Sequence, residues 1–144
     1  MPRHSVAGRT DALITSVRGP SLYAAAAAGA SLRQVEIWNT TTTAFAVGLV
    51  RWTATGTQGT ALTEAAWDQN KVAPQCTAFN THTADATAGD VFARTSVGAA
   101  VGSGVIWVFG ESGVVVPEGT SNGVGLYLPV GTAQHFDFTF VWDE

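Results

Sequence analysis

His135-Phe136-Asp137-Phe138-Thr139-Phe140-Val141-Trp142-Asp143-Glu144 closes the sequence. Phe136, Phe138, Phe140 and Trp142 fall at every second position, so in an extended chain their rings point to one face, with His135, Asp137, Thr139 and Asp143 opposite. Four large rings in line need a second apolar layer against them, and Val141 is the one interruption on the polar side. The alternation predicts a two-layer β fold with Phe136, Phe138, Phe140 and Trp142 in its core. It predicts no chemistry.

Working outward from that strand, Gly131-Thr132 reads as a turn, and Gly123 to Val130 as a strand with Val124, Leu126 and Leu128 on one face. Val116-Pro117-Glu118-Gly119 has the residue preferences of a type I turn and predicts a hairpin from Val114-Val115-Val116. Val105-Ile106-Trp107-Val108-Phe109 is a strong apolar strand that places Trp107 in the expected core, preceded by the small-sided run Gly98 to Gly104. Val91 to Val97 and Cys76 to Thr83 read as strands, with a loop from Ala84 to Asp90. Leu62 to Asn70, with Glu64 in its first turn, reads as a short helix or a crossover.

Phe45 to Thr53 turns Phe45, Val47 and Leu49 to one face and Ala46, Gly48, Val50 and Trp52 to the other. Its expected partner is Leu32 to Thr40, joined through Thr40–Thr43 as a hairpin, with Val35 and Ile37 on the face of Arg33 and Asn39. Ala24 to Ala28, ended by Gly29, is too short to offset helix nucleation, so a single turn or a tight loop is expected. Ala12 to Val17 reads as a short strand and Pro2 to Thr10 as an extended arm. About eight to ten short strands, with turn signals roughly every 8–12 residues, argue for one all-β domain over residues 1–144. The expected architecture is an antiparallel β-sandwich, jelly-roll-like, with an extended N-terminal arm at residues 1–10 and at most one short helix.

A chain of 144 residues buries enough surface for a core without covalent staples. The single Cys76 cannot form an internal disulfide. No segment approaches the ~18 apolar residues of a membrane span, and Met1 to Gly8 lacks the apolar core of a signal peptide. A soluble protein made in the cytoplasm is expected, with no membrane partner. Charged residues make up 12% of the chain and the net charge is −4, which argues against a partner held by its phosphate backbone, so no nucleic acid is expected. Residues 1–33 carry Arg3, Arg9, Arg18 and Arg33 against Asp11 alone, a net +3, while residues 34–144 carry a net −7. That asymmetry offers a basic beginning for docking on an acidic surface, or simply solvated charge.

The chemical patterns are weak. Gly119-Thr120-Ser121-Asn122-Gly123 matches G-x-S-x-G, but a nucleophile elbow needs a helix after it, and Gly-Val-Gly-Leu-Tyr follows. Cys76 and His82 lie about 20 Å apart along a strand, too far for a thiolate pair. His4, His82 and His135 have no metal-ligand spacing. His135 and Asp137 share a strand face as a surface pair does. Gly102-Ser103-Gly104 lacks the third glycine of a dinucleotide site, and the sequon Asn39-Thr40-Thr41 has meaning only on a secretory route. No catalytic, cofactor or metal residues are expected. Trp107 and Trp142 read as core, whereas Trp38, Trp52 and Trp67 are open between core and binding surface.

Gly56 to Glu64, Gly98 to Trp107, Val116-Pro117-Glu118-Gly119-Thr120 and Phe140-Val141-Trp142-Asp143-Glu144 resemble segments of small virion proteins of tailed bacteriophages. The resemblance covers most of the chain from about Leu32. It implies a capsid decoration or cement protein on the capsid exterior, a homotrimer bound to the major capsid protein between capsomers and synthesised in the host cytoplasm. Arg3, His4 and Arg9 are then the expected capsid contacts, by charge. A tail-associated or host-attachment protein, glycan-binding through its tryptophans, is the alternative. A hydrolase would need Ser121 or Cys76 in a pocket beside a histidine.

Overall fold

A computed structural model describes residues 1–10, 14–130 and 133–144. In chain order its strands are β1 (Arg3–Arg9), β2 (Ser21–Tyr23), β3 (Ala30–Asn39), β4 (Phe45–Ala54), β5 (Thr57–Gln58), β6 (Ala65–Ala66) and β7 (Thr77–Phe79), then β8 (His82–Ala84), β9 (Thr87–Val97), β10 (Gly104–Val108), β11 (Val114–Val116), β12 (Gly123–Tyr127) and β13 (Phe136–Asp143). No helix occurs among the described residues. One antiparallel sheet runs β10-β3-β13-β1-β6, with β11 continuing beyond β10 along the same edge of β3; a second runs β7-β2-β12-β4-β9; β5 and β8 pair as a ribbon.

β13 lies at the centre of the first sheet because its apolar alternation matches both neighbours. Phe138 stands opposite Ile37 of β3 and Gly8 of β1, and Phe140 opposite Val35 and Val6. These side chains face Phe45, Val47, Leu49 and Leu126 of the second sheet in one continuous core. The Phe45 and Phe136 rings stack across the two layers with centroids 5.5 Å apart. Burying each such aromatic or aliphatic side chain contributes about 1.5–3 kcal/mol relative to leaving it exposed. The result is consistent with a β-sandwich.

A bulge changes the face of β3 part-way along. Val141 pairs with Gln34 and Trp142 with Leu32, so Arg33 is left over. Before the bulge Val35 and Ile37 point inward; after it Leu32 and Ala30 do, and all four are buried. Arg33 therefore leaves the face it was expected to share with Val35 and Ile37. Its guanidinium is freed to reach Asp143 and the carbonyl of Gly110.

Several expectations are corrected. Residues 3–9 are extended, yet they form an interior strand between β13 and β6 rather than an arm, because His4 and Val6 alternate inward with the period of the sheet. β3 and β4 are not a hairpin: they belong to different layers, and the buried Asn39 clamps the crossover. Its Nδ2 donates to the carbonyls of Thr43 and Gly98, and its Oδ1 accepts from Thr41 N. β11 and β12 likewise lie in different sheets, and the turn between them uses Gly119 at φ 115°.

Leu62 to Asn70 holds β6 and a turn in place of a helix. Ala24 to Ala28 is the tight loop, closed by Ala25 N donating to Ala28 O at 2.9 Å. Cys76 to Thr83 divides into β7 and β8, and β9 begins inside the expected loop, at Thr87. Of the strand expected over Ala12 to Val17, residues 12 and 13 lie outside the described residues, and Ile14 makes a single bridge to Gln134. The turn at Gly131-Thr132 also lies outside them.

The outer face of the second sheet carries its own small core. Tyr23, Val50, Trp52 and Ala86 cluster there, with Phe79 and Tyr127 packed against them. The β5–β8 ribbon folds back onto this face, where the His82 ring of β8 lies 5.3 Å from that of Trp52.

Candidate interaction surface

The four arginines that make the beginning of the sequence basic are paired with carboxylates from later in the chain. Arg3 and Arg33 share Asp143, Arg9 holds Asp137, and Arg18 pairs with Asp85. The register of β1 on β13 creates two of these pairs, setting Arg3 opposite Asp143 and Arg9 opposite Asp137. The charge asymmetry of the sequence is largely cancelled inside the fold.

His4, expected at a partner surface, is 1% exposed. It sits on the inner face of β1, its ring centroid 5.8 Å from that of Trp142, and its Nδ1 has no hydrogen-bond partner. With Met1, Val116 and Glu144 it lines a cleft of about 910 Å³. Glu144 is no free base there. Its carboxylate accepts from Gln75 N, Cys76 N and Trp142 Nε1 at 2.8–2.9 Å. Burial pushes its pKa up, but these bonds outweigh burial and hold it below the ordinary value.

The remaining chemical candidates do not converge. Burial first, then the neighbouring Glu144, pushes the Cys76 thiol up to about 12, the opposite of an activated nucleophile. His82 belongs to another cluster, where its Nε2 lies 2.8 Å from the Tyr23 hydroxyl and its Nδ1 3.0 Å from Gly19 O. Ser121 sits in an exposed turn followed by strand β12. His135 Nδ1 contacts Thr10 O while Asp137 is held by Arg9, so the two are not partners. Among the described residues no group of three His, Cys, Asp or Glu is placed to hold a metal.

The tryptophans divide. Trp142 and Trp52 are buried, and Trp52 Nε1 donates to Ser21 Oγ at 2.9 Å. Trp107 is half-buried and packs against the core from the edge strand rather than within it. Trp38 lies half-buried on the outer face over Gly104, where any Cβ would run into its ring. Trp67 is 61% exposed, with the Arg3 guanidinium 5.5 Å from its ring centroid.

Six of the ten large apolar side chains exposed among the described residues lie on the edge strands β9, β10 and β11 or in the turn between β9 and β10. Val91 and Phe92 of β9, Val101 of the turn, Ile106 and Val108 of β10 and Val115 of β11 all fall within residues 91–115. The sequence reading missed Ile106 and Val108 because it took the uncharged run from Val105 to Phe109 only as a strong apolar strand of the core. That run was the available signal: a sheet edge is normally protected by charge. Comparison with protein-family models, with curated proteins and with solved structures returns no match.

Proposed function

We propose that this protein is a structural component of a virion: a capsid decoration or cement protein of the tailed-bacteriophage kind, bound to the major capsid protein between capsomers. The observation that carries the reading is the set of exposed apolar side chains over residues 91–115 on the edge strands, in a chain whose cysteine and histidines do not converge. Exposed apolar surface of this kind marks protein–protein contact.

The strand orders support a finer reading of the fold as well. β1-β13-β3-β10 lies against β2-β12-β4-β9, and the chain passes repeatedly from one sheet to the other. That is the pattern of two Greek keys wound into an eight-stranded jelly roll, an architecture of viral capsid domains among others.

The action would be mechanical. Each contact buries apolar area at ~25 cal/mol per Å², and linked copies bind as one because each later contact is effectively intramolecular. The protein stands on the capsid exterior, performs no catalysis and does not touch the packaged nucleic acid. Arg3 and Arg9 contribute to such a contact as ion pairs with Asp143 and Asp137 rather than as free charge.

Trp67, exposed beside Arg3, favours one alternative: a tail-associated or host-attachment protein that stacks a sugar on that ring. Sedimentation with DNA-filled capsids stripped of their decoration tests the first reading. Co-pelleting is expected; protein left in the supernatant overturns it. Binding on a glycan array that is lost in Trp67→Ala establishes the second.

A further inference from the structure

We infer that β10 is a self-pairing edge, through which two copies of this chain join their first sheets into one continuous sheet about a two-fold axis at Ile106. This goes beyond the capsid reading and assigns Ile106 and Val108, two of the exposed apolar residues behind that reading, to a second copy of the chain.

Among the described residues β10 has β3 on one side and no strand on the other. Which backbone groups are free follows from the ladder. Asn39 N donates to Ser103 O at 2.7 Å and Phe109 N to Arg33 O at 2.8 Å, in register with Val105 opposite Ile37 and Trp107 opposite Val35. Residues 103, 105, 107 and 109 therefore bond inward, and the N–H and C=O groups of Gly104, Ile106 and Val108 point away from β3. Water solvates such a row in a single copy, and the protein partner that matches it is another extended chain.

The edge carries none of the features that usually block strand addition. Residues 97–110 contain no charged residue and no proline. Every other edge is short, covered or irregular. β6 has two residues and β7 three, and Phe79 of β7 already bridges Ala61. β9 holds Asp90 and Arg94, and its register on β4 shifts three times. Even β11 is closed, since Arg51 Nη2 donates to Val115 O at 3.1 Å. Among the described strands β10 alone is left regular and open.

The occupant follows from self-complementarity. In an antiparallel pair centred on Ile106, each Ile106 meets its counterpart and each Gly104 meets a Val108, so all three outward-bonding residues face outward-bonding residues. Ile106 and Val108 are 49% and 72% exposed on the outer face, and Val108 would cover the Trp38 ring that fills the space above the partner's Gly104. No like charges are opposed. The nearest acidic side chain on β3 is Glu36, opposite Ile106 and bonded by Gln34 and Trp38. Two copies of it would stand about 14 Å apart at ~4.8 Å per strand, beyond the ~8 Å screening length of physiological salt. Such a pair is isologous and closes on itself.

Light scattering on the full chain should give twice 14.9 kDa, and Ile106→Lys should halve that mass with an unchanged circular dichroism spectrum. The substitution lies on the outer face, yet would set two cations against each other on the axis. Should Ile106→Lys not fold, hydrogen exchange on the unaltered protein decides: the amides of Gly104, Ile106 and Val108 should be protected at high concentration and lose protection on dilution. Four results overturn the inference. They are a monomeric mass at every concentration, a trimeric mass that survives Ile106→Lys, free exchange at Ile106 and Val108 in the assembled state, and protection of those amides only on adding a capsid.

Discussion

Arg3 and Asp143 stand opposite each other in β1 and β13, and the guanidinium grips both carboxylate oxygens, Nε to Oδ1 at 2.9 Å and Nη2 to Oδ2 at 3.3 Å. Arg33 Nε adds a bond to Oδ2 at 2.6 Å from the other side. The Arg3 bond, against the opposing effect of burial and with the help of Arg33, holds the Asp143 pKa below the ordinary value. Its contribution to stability is therefore complete above the unfolded-state value near 3.9. It is lost as pH falls through the lower folded value. Asp143→Ala leaves two arginines without their shared partner and should cost about 1–2 kcal/mol, between an exposed and a buried pair, because the arginines left behind keep solvent access. The urea midpoint at neutral pH measures it.

His82 gives a second pH step of the same sign in a different window. Burial depresses its pKa, opposed by its bond to Gly19 O. The unfolded chain thus takes up a proton first, near pH 6.5. Stability should fall as pH drops from about 6.5 toward the lower folded value. The neutral ring donates from Nδ1 to Gly19 O and accepts the Tyr23 proton at Nε2. His82→Gln should flatten the melting temperature between about pH 7 and 5, and an unchanged slope would place the step in another group.

Phe138 is buried at the centre of β13 and packs on Phe140 with ring centroids 5.4 Å apart. Phe138→Ala should cost about 3–5 kcal/mol, read as a lower urea midpoint with little change in slope.

Removal of residues 1–10 takes out a whole interior strand. β1 pairs with β13 over its full length, Arg3 to Arg9, and its deletion leaves Phe138 and Phe140 without a neighbour on that side of β13. The truncated chain should lose its cooperative unfolding transition. A truncated protein that still melts sharply would show that β1 is dispensable, as the arm expected from the sequence would have been.

The terminal strand was legible because its period is local. Phe136, Phe138, Phe140 and Trp142 reveal their shared face without reference to any other segment. What the sequence could not display was pairing across layers. Phe45 to Thr53 looks like the hairpin partner of Leu32 to Thr40, whereas the chain crosses into the other sheet there, with the Asn39 side chain bonded across the crossover.

Charge was misleading for the same reason. The +3 of residues 1–33 was largely offset once register set Arg3 and Arg9 opposite aspartates more than 120 positions away. The Arg33 bulge is another register effect, silent in the pattern of residue types. Apolar strands have a different ambiguity: Val105 to Phe109 reads as core whether its far side meets protein or solvent.

The central position of β13 also constrains synthesis. β3 and β1 are joined only through this strand, which is the last of the described strands to leave the ribosome. At roughly 5–20 residues per second, the earlier strands wait several seconds with their apolar faces uncovered. The first sheet cannot close while translation of residues 136–143 is incomplete. Nascent chains are therefore dependent on keeping the uncharged β10 segment away from its neighbours on the same message.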